Sequence, residues 1–266
     1  MSITNDRFLR ASQYEPDGAE IVWAEPTARR VRVFFGGIPV ADSNNVMVLF
    51  NGRRVPVYFF PRSDIRSDLL EEGPATESDP RLGERSYASL AVGSKRADSA
   101  VVRYREPITD GPDLSEYVTF VWDAMDAWFE EDEQIFRHAR DPYKRVDVLH
   151  SSRHIIVRVA DTIVADTQRP MLLFETGLPV RYYIPKLDVR LALLTPTATR
   201  SRCPYKGEAC YWNIDVNGQR LEDVVWSYPA PIPEIPKIEN LLAFYNEKVD
   251  IEIDGVEIDR PKTPWS

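Results

Sequence analysis

The residues best suited to chemistry cluster in one short run, Cys203-Pro204-Tyr205-Lys206-Gly207, with Cys210 close behind. The thiolate is the reactive form of cysteine, and a neighbouring ammonium favours it, so Cys203 and Lys206 are the catalytic candidates. The same run also reads as a tight turn, because proline presets φ and glycine supplies a left-handed residue. On that reading Cys203 is a buried or merely polar thiol. His138, His150 and His154 lie in the junction between the two halves or in the first strand of the second, and none is evidently placed to serve Cys203. Cys203 and Cys210 do not have the spacing of a zinc knuckle, and Cys210 shares an apparent strand face with Trp212 and Ile214, so a metal site is not expected. There is no Gly-x-Gly-x-x-Gly or Walker A sequence, nothing singles out a Ser/His/Asp triad, and no cofactor is expected.

Charge and aromatics gather around this run. The window Arg181 to Lys206 holds Arg181, Lys186, Arg190, Arg200, Arg202 and Lys206 against Asp188 alone, although the chain as a whole carries −9. Tyr182, Tyr183, Tyr205, Tyr211, Trp212, Trp226 and Tyr228 share the region. Aromatics usually build a core, and a run of like charges is usually a solvated face. The alternative is a concave aromatic wall with a few cationic donors, which suits a phosphate or carboxylate on a flat group. The candidate ligand-binding residues are therefore Arg181, Tyr183, Arg190, Arg202, Tyr205, Tyr211, Trp212, Trp226 and Tyr228.

An internal repeat must position them. Val40-Ala41-Asp42-Ser43 returns as Val164-Ala165-Asp166-Thr167, a shift of 124. Pro61, Asp64 and Arg66 return as Pro185, Asp188 and Arg190, and Pro80, Gly83 and Tyr87 as Pro204, Gly207 and Tyr211. One slip is read at Pro56-Val57, which matches Pro179-Val180 at a shift of 123. A period this long means tandem domains, here residues 1–136 and 137–266 with the junction in the charged stretch Glu130 to Arg145. Alternation at Val31, Val33, Phe35 and at Ile155, Val157, Val159 marks half-buried strands. Asp254-Gly255 between alternating runs marks a hairpin. Helical turns are expected only near Asp64–Leu70 and Asp188–Leu194. The fold class is mainly β: two tandem, homologous small β domains with few short helices.

The repeat is also an internal control. Asp42/Asp166, Asp64/Asp188, Arg66/Arg190 and Tyr87/Tyr211 occur in both copies and are assigned to the scaffold, with Asp and Arg two apart pairing or capping a turn. Cys203, Lys206, Trp212 and Trp226 stand where the first copy has Asp79, Leu82, Ala88 and Val102, so the scaffold does not demand them. In the first copy the window Val57 to Leu82 holds three cations against six anions. The second copy is read as the working one. Trp23 and Trp265 are read as pinning the termini.

Composition narrows the class. A chain of 266 residues, 43% hydrophobic and 11% aromatic, can bury a substantial core. The acidic balance argues against a nucleic-acid binder. No apolar run approaches a membrane span, so no membrane partner is expected. Met1 to Gln13 lacks an apolar stretch and does not read as a signal peptide. Two cysteines make no disulfide framework, and a cytoplasmic location is the expectation.

The residues Cys203-Pro204-Tyr205-Lys206-Gly207 and Tyr211-Trp212 resemble the signature of a bacterial domain-of-unknown-function family, number 427. Val164-Ala165-Asp166, Tyr182-Tyr183, Asp188-Val189-Arg190, Trp226-Ser227-Tyr228 and Ala243-Phe244-Tyr245 fit it too. The first copy follows in outline and departs at Asp79-Pro80-Arg81-Leu82-Gly83. The resemblance implies a β-tent-like domain, of the type shared with methionine sulfoxide reductase B and cereblon's ligand domain. Such relatives often carry zinc on paired Cys-x-x-Cys knuckles, which this chain lacks. The functional expectation is a small anionic or nucleotide-like ligand in the second copy, with or without thiol-dependent chemistry. The alternative is a sensor or protein-interaction module with no small-molecule chemistry.

Overall fold

The computed structural model describes residues 22–52, 54–79, 82–106, 111–263 and 266. The readings of Met1 to Gln13 and of Trp265 fall outside the described residues. Two compact units divide the chain, Met1–Tyr143 and Lys144–Ser266. The architecture is mainly β, with 3-10 turns and no longer helix among the described residues.

Unit one contains β1 (Val22–Pro26), β2 (Val31–Phe35), β3 (Ile38–Ser43), β4 (Met47–Asn51), β5 (Val57–Pro61), β6 (Leu70–Asp79), β7 (Gly83–Val92), β8 (Lys95–Tyr104), β9 (Tyr117–Phe120), β10 (Ala127–Glu130) and β11 (Glu133–Ile135). They form a seven-stranded sheet in the order β1-β4-β5-β9-β8-β7-β6 and a four-stranded sheet in the order β11-β10-β2-β3.

Unit two repeats the plan with β12 (Val146–His150), β13 (Ile155–Val159), β14 (Thr162–Thr167), β15 (Met171–Glu175), β16 (Arg181–Tyr183), β17 (Leu194–Cys203), β18 (Gly207–Val216), β19 (Gln219–Ser227), β20 (Ala243–Phe244), β21 (Asp250–Ile253) and β22 (Val256–Ile258). Its sheets run β12-β15-β16, β17-β18-β19-β20 and β14-β13-β21-β22. The bridge Ile184↔Leu242 links the first two. Phe60↔Val118 makes the same link in unit one.

Local chemistry explains these elements. In β2 the residues Val31, Val33 and Phe35 are buried and Arg32 and Phe34 are not, the period of a strand with one face in the core. Asp254 and Gly255 both have positive φ, +53° and +84°, between Ile253 and Val256. That is the geometry a two-residue hairpin requires, and Asp-Gly supplies it. Between β5 and β6, and again between β16 and β17, proline leads into paired 3-10 turns, Arg62–Asp64 and Ser67–Leu69, then Lys186–Asp188 and Leu191–Leu193.

The structure corrects three sequence expectations. First, Met47 pairs with Phe59 as Met171 pairs with Tyr183, so β5 keeps the shift of 124 and Val180 takes the place of Pro56. The one-residue deletion lies later: Val31 pairs with Glu130, while Ile155 pairs with Ile253. Second, β18 carries a bulge between Trp212 and Ile214. Ala209 and Tyr211 pack in one apolar cluster of unit two and Ile214 and Val216 in the other, so Cys210 keeps the strand face of Trp212 and Ile214 but is half-buried rather than part of the core. Third, Asp64 and Arg66 do not pair. Asp64 accepts from Ser43 Oγ at 2.6 Å, and Asp188 from Thr167 Oγ1 at 2.7 Å, tying each 3-10 turn to its neighbouring strand.

Each unit buries two apolar clusters on opposite faces of its central strands. Tyr58 and Phe60 serve the main cluster of unit one, and Phe59 between them serves the second with Leu49, Leu82, Tyr104 and Leu114. In unit two Tyr182 and Ile184 serve the main cluster, and Tyr183 serves the second with Leu173, Tyr211, Trp226, Tyr228 and Ile238. The main clusters are both aliphatic and aromatic. The second clusters differ in chemistry, and that difference defines the site.

Candidate functional site

Cys203 closes β17, and the turn to β18 follows. The Lys206 amide donates to the Cys203 carbonyl, and Ile232 N donates to the Lys206 carbonyl at 3.2 Å, so the turn is pinned to the segment after Pro231. Gly207 has φ of +102°, and a Cβ there would come within 3.1 Å of the Ala230 carbonyl oxygen. Both facts require glycine. The turn reading of the Cys-Pro-Tyr-Lys-Gly run thus holds, and it sets Lys206 over the second cluster.

Lys206 donates to Glu175 Oε2 through a short contact, and Lys144 lies 3.3 Å from Glu175 Oε1. The carboxylate is 5% exposed, and the Lys206 and Lys144 side chains are 12% and 23% exposed. Two ammonium groups therefore share one buried carboxylate, which leaves a local surplus of one positive charge. Lys144 Nζ also lies 5.8 Å from the centroid of the half-buried Tyr205 ring. Lys206 is held by Glu175, so its ammonium is committed elsewhere than to the Cys203 thiol. Cys203 and Cys210 are both half-buried, so exposure does not separate them, and Cys210 Sγ contacts the Ser227 carbonyl.

Arg181 begins β16 in the core. Its guanidinium makes a two-pronged pair with Glu247 at 2.7 Å on each side and donates to Asn246 Oδ1 at 3.2 Å. Glu247 is fully covered and also accepts from Thr263 Oγ1 at 2.7 Å. Burial alone would raise the Glu247 carboxyl, but Arg181 and Thr263 hold it below the usual glutamate range. The Arg181 guanidinium stacks near Trp226 and Tyr245, 5.6 and 5.7 Å from their ring centroids. The aromatic wall expected for a ligand is thus occupied here by the chain's own arginine.

The tyrosines join this network. Trp226 Nε1 donates to Tyr183 Oη at 3.1 Å, and the two rings meet edge to face. Tyr211 shares a 2.6 Å hydrogen bond with Ser201, and burial raises the Tyr245 hydroxyl above the ordinary tyrosine value, with Tyr211 adding to the effect. Burial pushes the hydroxyls of Tyr183 and Tyr228 well above the ordinary tyrosine value, and Cys203 and Glu175 add to the effect on both. They stay neutral at physiological pH.

The remaining candidates lie apart from this cluster. Arg202 pairs with Glu208 at 2.9 Å on the surface. Arg190 is exposed on the 3-10 turns. Trp212 is half-buried and packs against the main cluster. The histidines also lie elsewhere: His154 pairs with Asp166, His138 contacts the Ala139 carbonyl, and His150 is exposed. Among the described residues no group of histidine, cysteine and carboxylate side chains could hold a metal ion.

Lys144, Glu175, Tyr245 and Glu247 were missed from the sequence. Lys144 and Glu175 stand far from the signature run in sequence, and the fold brings them to it through the Lys206–Glu175 and Lys144–Glu175 ion pairs. One signal was available: Glu175 aligns with Asn51 as Lys206 aligns with Leu82, so an acid and a base appear together in one copy and are absent together from the other.

No helix of the described residues is long and apolar enough to cross a membrane. No curated protein matches the chain. The family described as "Domain of unknown function (DUF427)" matches twice, over residues 23–131 and 147–255. Those two matches coincide with the repeated strands of units one and two, and the chain belongs to this family as a tandem-repeat member.

Proposed function

We propose that the second unit binds a small ligand carrying an anionic group, seated at the turn between β17 and β18 with Lys206 and Lys144 as its charge partners and Tyr205 beside it. The observation that carries this reading is the pair of ammonium groups on the single buried Glu175 carboxylate. A buried cation without a full counter-charge is costly, and an anionic ligand supplies the missing charge. The scaffold does not need the arrangement, since unit one has Asn51 and Leu82 at the equivalent positions. Arg181 is a structural residue in this reading, spent on Glu247, and Arg190 and Arg202 are not assigned to the site. Binding is favoured over bond-making chemistry, because the ammonium proposed to activate Cys203 is engaged by Glu175.

Calorimetric titration with inorganic phosphate and a panel of nucleoside monophosphates tests the proposal. Lys206→Ala is expected to weaken the binding seen with wild type by about tenfold or more, the scale of one lost charge-assisted hydrogen bond. Affinity unchanged in that variant would place any anion site elsewhere.

A further inference from the structure

The two units also diverge on the surface, at the paired 3-10 turns. The backbones match: φ and ψ are −54° and 140° at Pro61 against −56° and 138° at Pro185, and −78° and 76° at Arg66 against −75° and 79° at Arg190. The side chains do not. Ser63 becomes Leu187, which is 90% exposed, and Ser67 becomes Leu191, which is 48% exposed. Asp68 becomes Ala192. In unit one Asp68 takes both prongs of Arg66, at 2.8 and 2.6 Å. Losing that carboxylate leaves Arg190 with no acidic partner among the described residues, and Lys186 on the same turns has none either. The nearby carboxylates are already committed, Asp188 to Thr167 and Arg169 and Asp166 to His154. On one backbone, a polar and charge-balanced surface has been replaced by an apolar and cationic one.

We propose that these turns form a membrane-contact patch: Leu187 and Leu191 insert at the headgroup–acyl boundary of an anionic lipid surface, and Lys186 and Arg190 meet the lipid phosphates. Exposed apolar side chains flanked by bases are the combination that holds a protein at an anionic interface, because each signal alone is weak and reversible. Shape favours lipid over a protein partner. Leu187 protrudes and offers no groove. Two leucine side chains fall far short of the roughly 800 Å² per partner that a stable protein interface buries, whereas a bilayer requires no matched surface. The chain carries −9 overall, so the attraction is local to this patch. Contact of this kind needs no spanning segment.

The test is co-sedimentation of the full chain with vesicles of phosphatidylcholine alone and of phosphatidylcholine containing phosphatidylserine. Wild type is expected to bind the anionic vesicles, to lose that binding in high salt, and to ignore the neutral ones. Leu187→Ser with Leu191→Ser, the residues unit one carries, is expected to reduce binding by about tenfold or more. Ala192→Asp, which restores a partner for Arg190, is expected to weaken it as well. All three positions are exposed, and an unchanged melting temperature confirms that the variants fold. Wild type that fails to bind anionic vesicles, or vesicle binding unaltered by the leucine substitutions, would overturn the proposal. So would a stoichiometric, Leu187-dependent complex with another protein in the absence of any vesicle binding.

Discussion

Replacing Glu247 with alanine is expected to destabilise unit two by about 3–5 kcal/mol, read as a lower urea midpoint for its transition. The substitution strands the Arg181 guanidinium, 10% exposed, between two aromatic rings with Asn246 as its remaining acceptor among the contacts described above. It also removes an acceptor of Thr263. The cost comes from taking the two-pronged carboxylate from a buried guanidinium, because the net contribution of an intact buried pair is much smaller than the penalty of halving it. Glu208→Ala is the control. Its pair with Arg202 is about half exposed on both sides, and such pairs contribute little. The pH dependence has a definite sign. The folded-state pKa of Glu247 is depressed, so its stabilisation is fully present above the ordinary value of about 4.3 and is lost as pH falls through the lower folded value. The gap between wild type and Glu247→Ala should therefore close in acid. A gap that stays constant would mean the ion pair is not the source.

Trp226→Ala is expected to cost a comparable about 3–5 kcal/mol, followed by far-ultraviolet circular dichroism in urea. Trp226 is buried, donates to Tyr183, meets Tyr245 at a ring-centroid distance of 4.6 Å, and lies under Arg181. The strand itself accepts a small residue there, since Val102 holds the same place in unit one, so the loss should come from the cavity and the orphaned contacts. Because Glu247 and Trp226 both act on Arg181, the two substitutions together should depart from additivity by more than the about 0.5 kcal/mol seen for independent sites. A double variant that is simply additive would show that Arg181 does not link them.

The fold was legible because repeats and alternation are local signals. The shift of 124 predicted equivalent strands, and the paired 3-10 turns fell beside the predicted Asp64–Leu70 and Asp188–Leu194. The bulge at Trp212 was not legible. Alternation placed Cys210 on the face of Trp212 and Ile214, but it carries no signal for how far along the strand the core reaches, and Cys210 is only half-buried. The site was legible in part. The turn at Lys206 and the aromatic cluster were found. The basic window was misjudged because a count along the chain cannot see partners from other strands. Glu247 comes to Arg181, Glu175 to Lys206 and Glu208 to Arg202, and only Glu208 is near its partner in sequence. Tyr183, Tyr211, Trp226 and Tyr228 are core residues of the second cluster, as the plain reading of aromatics allowed.

The central claim, that unit two has gained an anion site which the shared scaffold does not require, is tested most directly by returning it to the unit-one residues. Glu175→Asn combined with Lys206→Leu removes both charges at once, and Asn51 and Leu82 show that this scaffold tolerates those residues. Calorimetry of the double variant, with the phosphate-bearing ligand that wild type binds best, is the measurement. The predicted result is a melting temperature near that of wild type and binding weakened by about tenfold or more, because Lys144 alone remains as a charge partner. A folded double variant that binds the ligand as tightly as wild type would contradict the account.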